Sequence, residues 1–275
     1  MRKTLLPNRR SRWLAGLIVL ACGSLQAQPA PLPRAHAHND YEHPRPLLDA
    51  LAHGFCSVEA DVHLVDGQLL VAHDPEDVQP GRTLQRLYLD PLRERALQHG
   101  GRIYPDSDAP FILLIDIKSD AEATYAVLRD VLRRYADLLT IFTPTARAEG
   151  AVTAIISGNR PRATMAAEPI RYAAYDGRLE DLSASRQEPP SFIPLISSHW
   201  FSISRWTGDG PMPPADRAEL ERIVTTAHAQ GRLVRFWATP DDPVVWQTLY
   251  EAGVDLLNTD DLRGLQAFLL AASPR

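Results

Sequence analysis

Short apolar runs alternate with helix-period segments along most of the chain. The runs fall at 34–38, 57–62, 111–117, 152–157, 171–175, 193–198, 233–238 and 255–259, each of strand length. The run FILLIDI at 111–117 is apolar at odd and even positions alike, as in a parallel strand covered on both faces. The second run predicts a hairpin that turns at Asp66-Gly67 and returns through Leu69 to Ala72. Helical spacing appears at Leu47, Leu48 and Leu51, after Pro44 and Pro46 and before Gly54. It recurs at Leu128, Val131, Leu132, Tyr135 and Leu139, and at Leu220, Ile223, Val224 and Ala227 ahead of Gly231. Asp242-Pro243 reads as an N-cap and first helical residue, with Gly253 closing that helix. The segment 176–192 shows no clear helix.

Repeated βα units of this kind predict an α/β fold, a single (β/α)8 TIM-type barrel, with an open doubly wound sheet as the structural rival. A barrel places functional groups at the C-terminal ends of its strands. Polar residues collect at those positions: His38 after strand one, Glu59 and Asp61 in strand two, and Asp116 and Lys118 at strand three. His199, Trp237 and Asp260 follow at strands six, seven and eight.

The first residues differ from the rest. Arg2, Lys3, Arg9, Arg10 and Arg12 are basic, and the apolar run from Trp13 to Ala21 is too short to span a bilayer. This predicts a signal peptide over residues 1–27, cleaved after Ala27, then a proline-rich linker over 28–33 and the barrel domain over 34–275. The expected location is periplasmic or extracellular, with lipoprotein anchoring at Cys22 as a variant and Arg9-Arg10 as a hint of twin-arginine export. Losing that leader would take the net charge from −5 to −10, because its five basic residues are accompanied by no acid. So acidic a protein is a poor nucleic-acid partner. Cys56 would be the one remaining cysteine, so no internal disulfide is expected, and its apolar strand makes it a core residue.

The densest chemistry lies between His36 and His73: HAHNDY, then FCSVEADVHLVDGQLLVAHD. Glu59 and Asp61 are two apart on a strand and share a face, roughly 6.6 Å apart along it. Two carboxylates in an apolar setting repel each other, and burying them unpaired costs several kcal/mol. A divalent cation satisfies both, and nearby histidines could move protons. Asp116 shares a face with Lys118, the only lysine beyond the leader in a chain that otherwise uses arginine. A compact ammonium suits a phosphate oxygen. His36-Ala-His38 admits a second reading as the opening of an amidohydrolase-type metal site, although no histidine stands at strand five. His63, on the Glu59/Asp61 face, is expected to support the site or face solvent. His43, His53, His99 and His228 are expected at the surface, and His199-Trp200 fits the pocket mouth and plain packing equally.

These segments, with RTLQRLYLDPL, LLIDIKS and LVRFWATP…GVDLLNTDD, resemble the phosphatidylinositol-specific phospholipase C/glycerophosphodiester phosphodiesterase superfamily of TIM barrels. Within it they look most like the branch named for altered inheritance of mitochondria. The resemblance runs from Arg34 to about Leu265. It implies a metal-dependent phosphoric diester hydrolase acting on a glycerophosphodiester, phospholipid or related phosphodiester. One divalent cation, Mg²⁺ or Ca²⁺, would be held by Glu59, Asp61 and Asp116. His38 and His73 would be catalytic, His38 as base and His73 as acid, while Lys118, Trp237 and Asn39 would contact substrate. The expected partner is a small-molecule or lipid phosphodiester, with no nucleic acid and with peripheral membrane contact compatible. The nucleophile is a substrate hydroxyl, giving a cyclic product, or water, giving a linear one. The chain departs from the glycerophosphodiesterase pattern: no arginine follows the first histidine, no Pro-Glu-Asn-Thr element appears, and the third metal position is aspartate. The rival from another class is a non-catalytic barrel that binds a lipid headgroup or a partner.

Overall fold

The structure, a computed structural model, describes residues 29–105, 107–144, 146–183 and 188–272. The leader at 1–27 and Cys22 lie outside the described residues.

Strand β1 (Leu32–Ala37) is followed by the long β2 (Phe55–Val65), which turns back as β3 (Gln68–Val71). Asp66 and Gly67 both have positive φ, 48° and 75°, the backbone twist that a two-residue hairpin needs. Next come β4 (Phe111–Ile117), a small ribbon of β5 (Ile141–Phe142) with β6 (Arg147–Ala148), and β7 (Val152–Gly158). The remaining strands are β8 (Ala174–Gly177), β9 (Leu195–His199), β10 (Leu233–Trp237) and β11 (Leu257–Thr259). They are ordered β10-β9-β8-β7-β4-β2-β1-β11 with every neighbour parallel, and a parallel bridge from Arg235 to Leu256 joins the two ends. This is the eight-stranded barrel expected from the βα rhythm.

The helices are α1 (Leu48–Ala52), α2 (Asp90–Gln98), α3 (Ala121–Arg133), α4 (Arg162–Ala167), α5 (Pro214–Ala229), α6 (Pro243–Ala252) and α7 (Leu262–Ala272). Their apolar faces pack on the outer face of the strands: Leu128, Val131 and Leu132 of α3 share one core with Leu113, Ile115 and Ile117 of β4. Helix α6 starts as its sequence predicts, with the Asp242 carboxylate accepting from the Val244 N–H at 2.7 Å, and stops at Gly253 with φ 88°. Cys56 is a buried core residue.

Most strand limits shift by one to three residues from the sequence expectation, and two boundaries have a clear physical reason. The strand expected at 171–175 is β8, Ala174–Gly177, because Arg171 forms an antiparallel bridge with Phe142 at the barrel's edge and the pairing with β7 begins at Ala174. Helix α3 ends at Arg133 although its spacing continues to Leu139. Tyr135, Leu138 and Leu139 stay buried through the turns that follow, so the apolar periodicity outlasts the helix.

Alternate residues of each strand point into the barrel, and each inward column changes character along its length. On β4 it begins with Ile112 and Leu114, which pack with Phe142, Ile155, Ala174, Leu195 and Leu256 in a separate inner cluster. It ends with Asp116. The neighbouring columns carry Glu59 and Asp61, Ser157, Asp176, Ser197, Arg235 and Asn258 towards that end, where hydrogen bonds link Ser157 and Ser197 to Asp176, and Glu59 and Asn258 to Arg235. An apolar floor therefore carries a polar layer at the C-terminal end of the strands, where a barrel builds its site.

Candidate active site

Register brings the acids together. Asp61 lies opposite Asp116 across the β2–β4 pair, and Glu59 is one inward step below. Oxygens of Glu59, Asp61 and Asp116 fall within 4.8 Å of one another, and neither His36 nor His38 belongs to this group. Gly158 permits the close packing, since a Cβ there would sit 2.1 Å from Asp116 Oδ1.

Each acid is oriented by a different neighbour. Arg235, buried on β10, donates to Glu59 Oε2 at 2.6 Å and to Asn258 Oδ1 at 2.9 Å. Burial disfavours the Glu59 carboxylate, but the Arg235 guanidinium, helped by His36, holds its pKa well below the ordinary value. On Asp61 a single oxygen, Oδ2, faces three groups: the Tyr41 hydroxyl at 2.7 Å, Lys118 Nζ at 3.0 Å and His73 Nδ1 at 3.1 Å. The other oxygen, Oδ1, is buried without a hydrogen-bond partner. Burial, then the Glu59 charge, raises the Asp61 pKa against the pull of Lys118. Burial and Asp61 push Asp116 up to about 6, although Lys118 Nζ lies 3.4 Å from its Oδ1. Three carboxylates thus face two fixed cations, and an orphaned buried oxygen lies among them. That donor set fits a hard divalent cation, which binds oxygen ligands.

The histidines flank this cluster. His38 Nδ1 pairs with Asp260 Oδ1 at 2.8 Å, and its Nε2 turns towards Glu59 Oε2 at 4.0 Å. Burial lowers the His38 pKa, yet the Asp260 hydrogen bond and the Glu59 charge outweigh it, and the net shift is upward. His73 stands on the other side and is half exposed, with Nδ1 towards Asp61. His63 is buried rather than surface-facing, and its Nε2 holds the His73 carbonyl at 3.1 Å. His36 is fully buried, 2.7 Å from Ser57 Oγ, and burial together with Arg235 lowers its pKa to about 4. The side chains within ligand distance of one another are the three carboxylates, without His36 or His38, so the amidohydrolase-type reading gains no support from the geometry. Asn39 has a left-handed backbone, φ 44°, and its Oδ1 accepts from the Tyr41 hydroxyl at 2.9 Å.

Trp237 lies apart from this half of the mouth. His199 approaches its ring at 5.9 Å, nearly perpendicular, and the Arg178 guanidinium stands 5.0 Å from its centroid. Of the His199-Trp200 pair, His199 borders the mouth, while Trp200 is core and donates from Nε1 to the Trp206 carbonyl. His228 is exposed as expected; His43, His53 and His99 are only partly so. Sequence reading missed Arg235, Tyr41 and Arg178. Arg235 stands two residues before Trp237 and therefore shares its inward face, a signal that was available. Arg178 bears the same relation to Asp176. Tyr41 offers no comparable signal.

The fold and site define a TIM-type barrel with an acidic cluster that two histidines flank at the strand C-termini. The chain belongs to the AIM6-like phosphodiesterase family, whose domain model matches residues 25–176. A shorter match to the glycerophosphoryl diester phosphodiesterase family covers 234–263. Altered inheritance of mitochondria protein 6 of Eremothecium gossypii is 32% identical over 86% of this chain and 69% of its own length. The homolog from Arthroderma benhamiae is 30% identical over 86% of this chain and 84% of its own. Among solved structures, a Ca²⁺-dependent phosphatidylinositol-specific phospholipase C from Streptomyces antibioticus superposes with TM-score 0.55 at 13% identity, over 86% of this chain and 95% of that one. A glycerophosphodiester phosphodiesterase from Parabacteroides distasonis gives 0.51 at 18% identity, over 88% and 98%. Membership of this family points to a phosphodiesterase-type hydrolase. The relatives also correct one expectation. They are named for the inheritance of mitochondria, which overturns the periplasmic or extracellular assignment made from the leader.

Proposed function

We propose that this chain is a metal-dependent phosphodiesterase using Glu59, Asp61 and Asp116 as cation ligands and His38 and His73 as proton carriers. The observation that carries the reading is Asp61: three donors crowd one oxygen and leave the other buried and unpaired, on a carboxylate grouped with two more. When bound, Mg²⁺ or Ca²⁺ would neutralise charge on the non-bridging phosphoryl oxygens.

The chain's own residues supply the rest. An imidazole whose hydrogen is on Nδ1 donates it to Asp260, which leaves His38 Nε2 as the proton acceptor on the inner side. His38 then acts as the base towards the attacking hydroxyl. His73, with Nδ1 anchored on Asp61 and its carbonyl on His63, presents Nε2 to the leaving oxygen as the acid. Lys118 lies between Asp61 and Asp116 at the mouth, where its ammonium can also meet a phosphate oxygen. Asn39 and Trp237 border the same opening as substrate contacts.

Phosphorus NMR on a phosphodiester panel tests this, since it reports which bond breaks and whether the product is cyclic. The expected result is EDTA-sensitive cleavage that His38→Ala and Glu59→Ala each reduce by at least about 10², the scale of general acid–base contributions. Full activity in both variants would sink the assignment. A folded wild-type protein that binds a phosphodiester but never cleaves one would favour the non-catalytic barrel.

A further inference from the structure

Across the mouth from the acidic cluster, the ends of β9 and β10 carry an aromatic group whose cation is part of the protein. Trp237 belongs to it, with the His199 ring edge-on at 5.9 Å, and Phe201 stands 5.6 Å beyond His199. Such a group of rings would ordinarily attract a quaternary ammonium. Here the Arg178 guanidinium is 5.0 Å from the Trp237 centroid, inside cation–π range.

Arg178 is held there firmly. Its Nη1 donates to Asp176 Oδ2 at 2.6 Å and to the Gly177 carbonyl at 2.9 Å, and its Nη2 reaches Ser157 Oγ at 3.3 Å. Asp176 is fully buried, and its oxygens are also engaged by Ser157 at 2.7 Å and Ser197 at 2.6 Å. The carboxylate that Arg178 pairs with is thus already engaged by three donors. The Arg178 side chain is nonetheless 22% exposed rather than sealed in the core. Ser157, which Arg178 reaches, pairs in register with Asp116, so the anchor of Arg178 extends to the strand beside the acidic cluster. His199 adds a second donor: its Nδ1 accepts from the Phe201 N–H, so a neutral ring carries its hydrogen on Nε2.

We infer that Arg178, stacked on Trp237, sets the headgroup preference of the site: it favours oxygen-rich headgroups, polyol or anionic, and excludes quaternary ammonium headgroups such as choline. This deepens the phosphodiesterase reading and rests on it. A choline group would meet a like charge where it needs an open aromatic face. A glycerol, a sugar alcohol or a second phosphate would instead meet the donors of Arg178 and His199.

The test compares kcat/KM for glycerophosphoglycerol and glycerophosphocholine with the cation supplied in excess, and uses bis(p-nitrophenyl) phosphate as a diester without a headgroup. Wild type should prefer the glycerol diester by about tenfold or more, the scale of one cation–π contact. Arg178→Ala opens the aromatic face and leaves the Asp176 carboxylate behind, so the KM for the choline diester should fall and the preference should shrink or reverse. Trp237→Leu keeps the Arg178–Asp176 pair and should weaken the discrimination, which gives a second readout if Arg178→Ala does not fold. Equal cleavage of the two diesters by wild type, or a ratio unmoved in both variants, would overturn the inference. If wild type also fails on bis(p-nitrophenyl) phosphate, the phosphodiesterase reading itself has failed. A third glycerophosphodiester, its headgroup glycerol carrying a phosphate monoester, separates the two arms: preference for it over glycerophosphoglycerol identifies the anionic arm, and equal use of the two the polyol arm.

Discussion

Replacing Arg235 by methionine isolates the interaction that keeps Glu59 charged inside the barrel. Methionine keeps the apolar stem and removes a guanidinium that is 2% exposed and 2.6 Å from a carboxylate 6% exposed. Breaking one side of a buried ion pair typically costs about 3–5 kcal/mol, because the remaining charge loses its partner while still shielded from water. For a chain of this size that corresponds to a fall in Tm of roughly 6–20 °C. The pH dependence is more diagnostic. In the wild type the folded-state pKa of Glu59 lies below its ordinary value of 4.5. Its contribution is therefore present above that pH and fades as pH falls towards the folded value. In Arg235→Met burial acts without the guanidinium, so the folded pKa rises above the unfolded one. Stability should then decline as pH climbs past that value. Urea denaturation at pH 4.5 and 7.5 should give a wild-type-to-variant gap that widens at the higher pH, and saturating Mg²⁺ or Ca²⁺ should narrow it. A gap under about 1 kcal/mol at pH 7.5, or one that does not vary with pH, would refute the view that Arg235 supports a buried ionised Glu59.

Two further substitutions probe the geometry. Gly158→Ala adds a Cβ 2.1 Å from Asp116 Oδ1 and 2.5 Å from the Ile117 carbonyl at φ 66°. Left-handed strain of about 1–2 kcal/mol plus overpacking of about 1–3 kcal/mol should lower the urea midpoint, and calorimetry should show weaker cation binding; wild-type values in both would contradict this packing. Asp260→Ala removes the hydrogen bond and charge that raise the His38 pKa. Because a base must be neutral, the acid limb of the kcat/KM–pH profile should move to lower pH, and an unmoved limb would show that His38 is not the titrating base.

The fold was legible where apolar periodicity and turn chemistry coincide. FILLIDI gives β4 at its observed limits, Asp66-Gly67 places the hairpin, and Asp242-Pro243 with Gly253 brackets α6. It was less legible at β8, a four-residue strand whose approach, Arg171 to Ala173, has strand-like composition but pairs elsewhere. Within the site, Glu59, Asp61 and Asp116 could be foreseen because carboxylates stand out in apolar strands. Their partners could not be foreseen so readily. An arginine inside LVRFW resembles an ordinary solvent-facing position until the barrel's inward face is fixed, and only then do Arg235 and Trp237 fall on one column. Tyr41 reaches Asp61 from a loop, with no periodicity to announce it.

Cation-dependent turnover tests the central claim most directly. Protein stripped of divalent ions should not cleave bis(p-nitrophenyl) phosphate, and Mg²⁺ or Ca²⁺ should restore activity with the saturation curve of one site. Asp61→Asn should require far more cation or fail to respond. Undiminished turnover by the stripped protein, or a cation response unchanged in Asp61→Asn, would contradict the assignment of Glu59, Asp61 and Asp116 as the cation site.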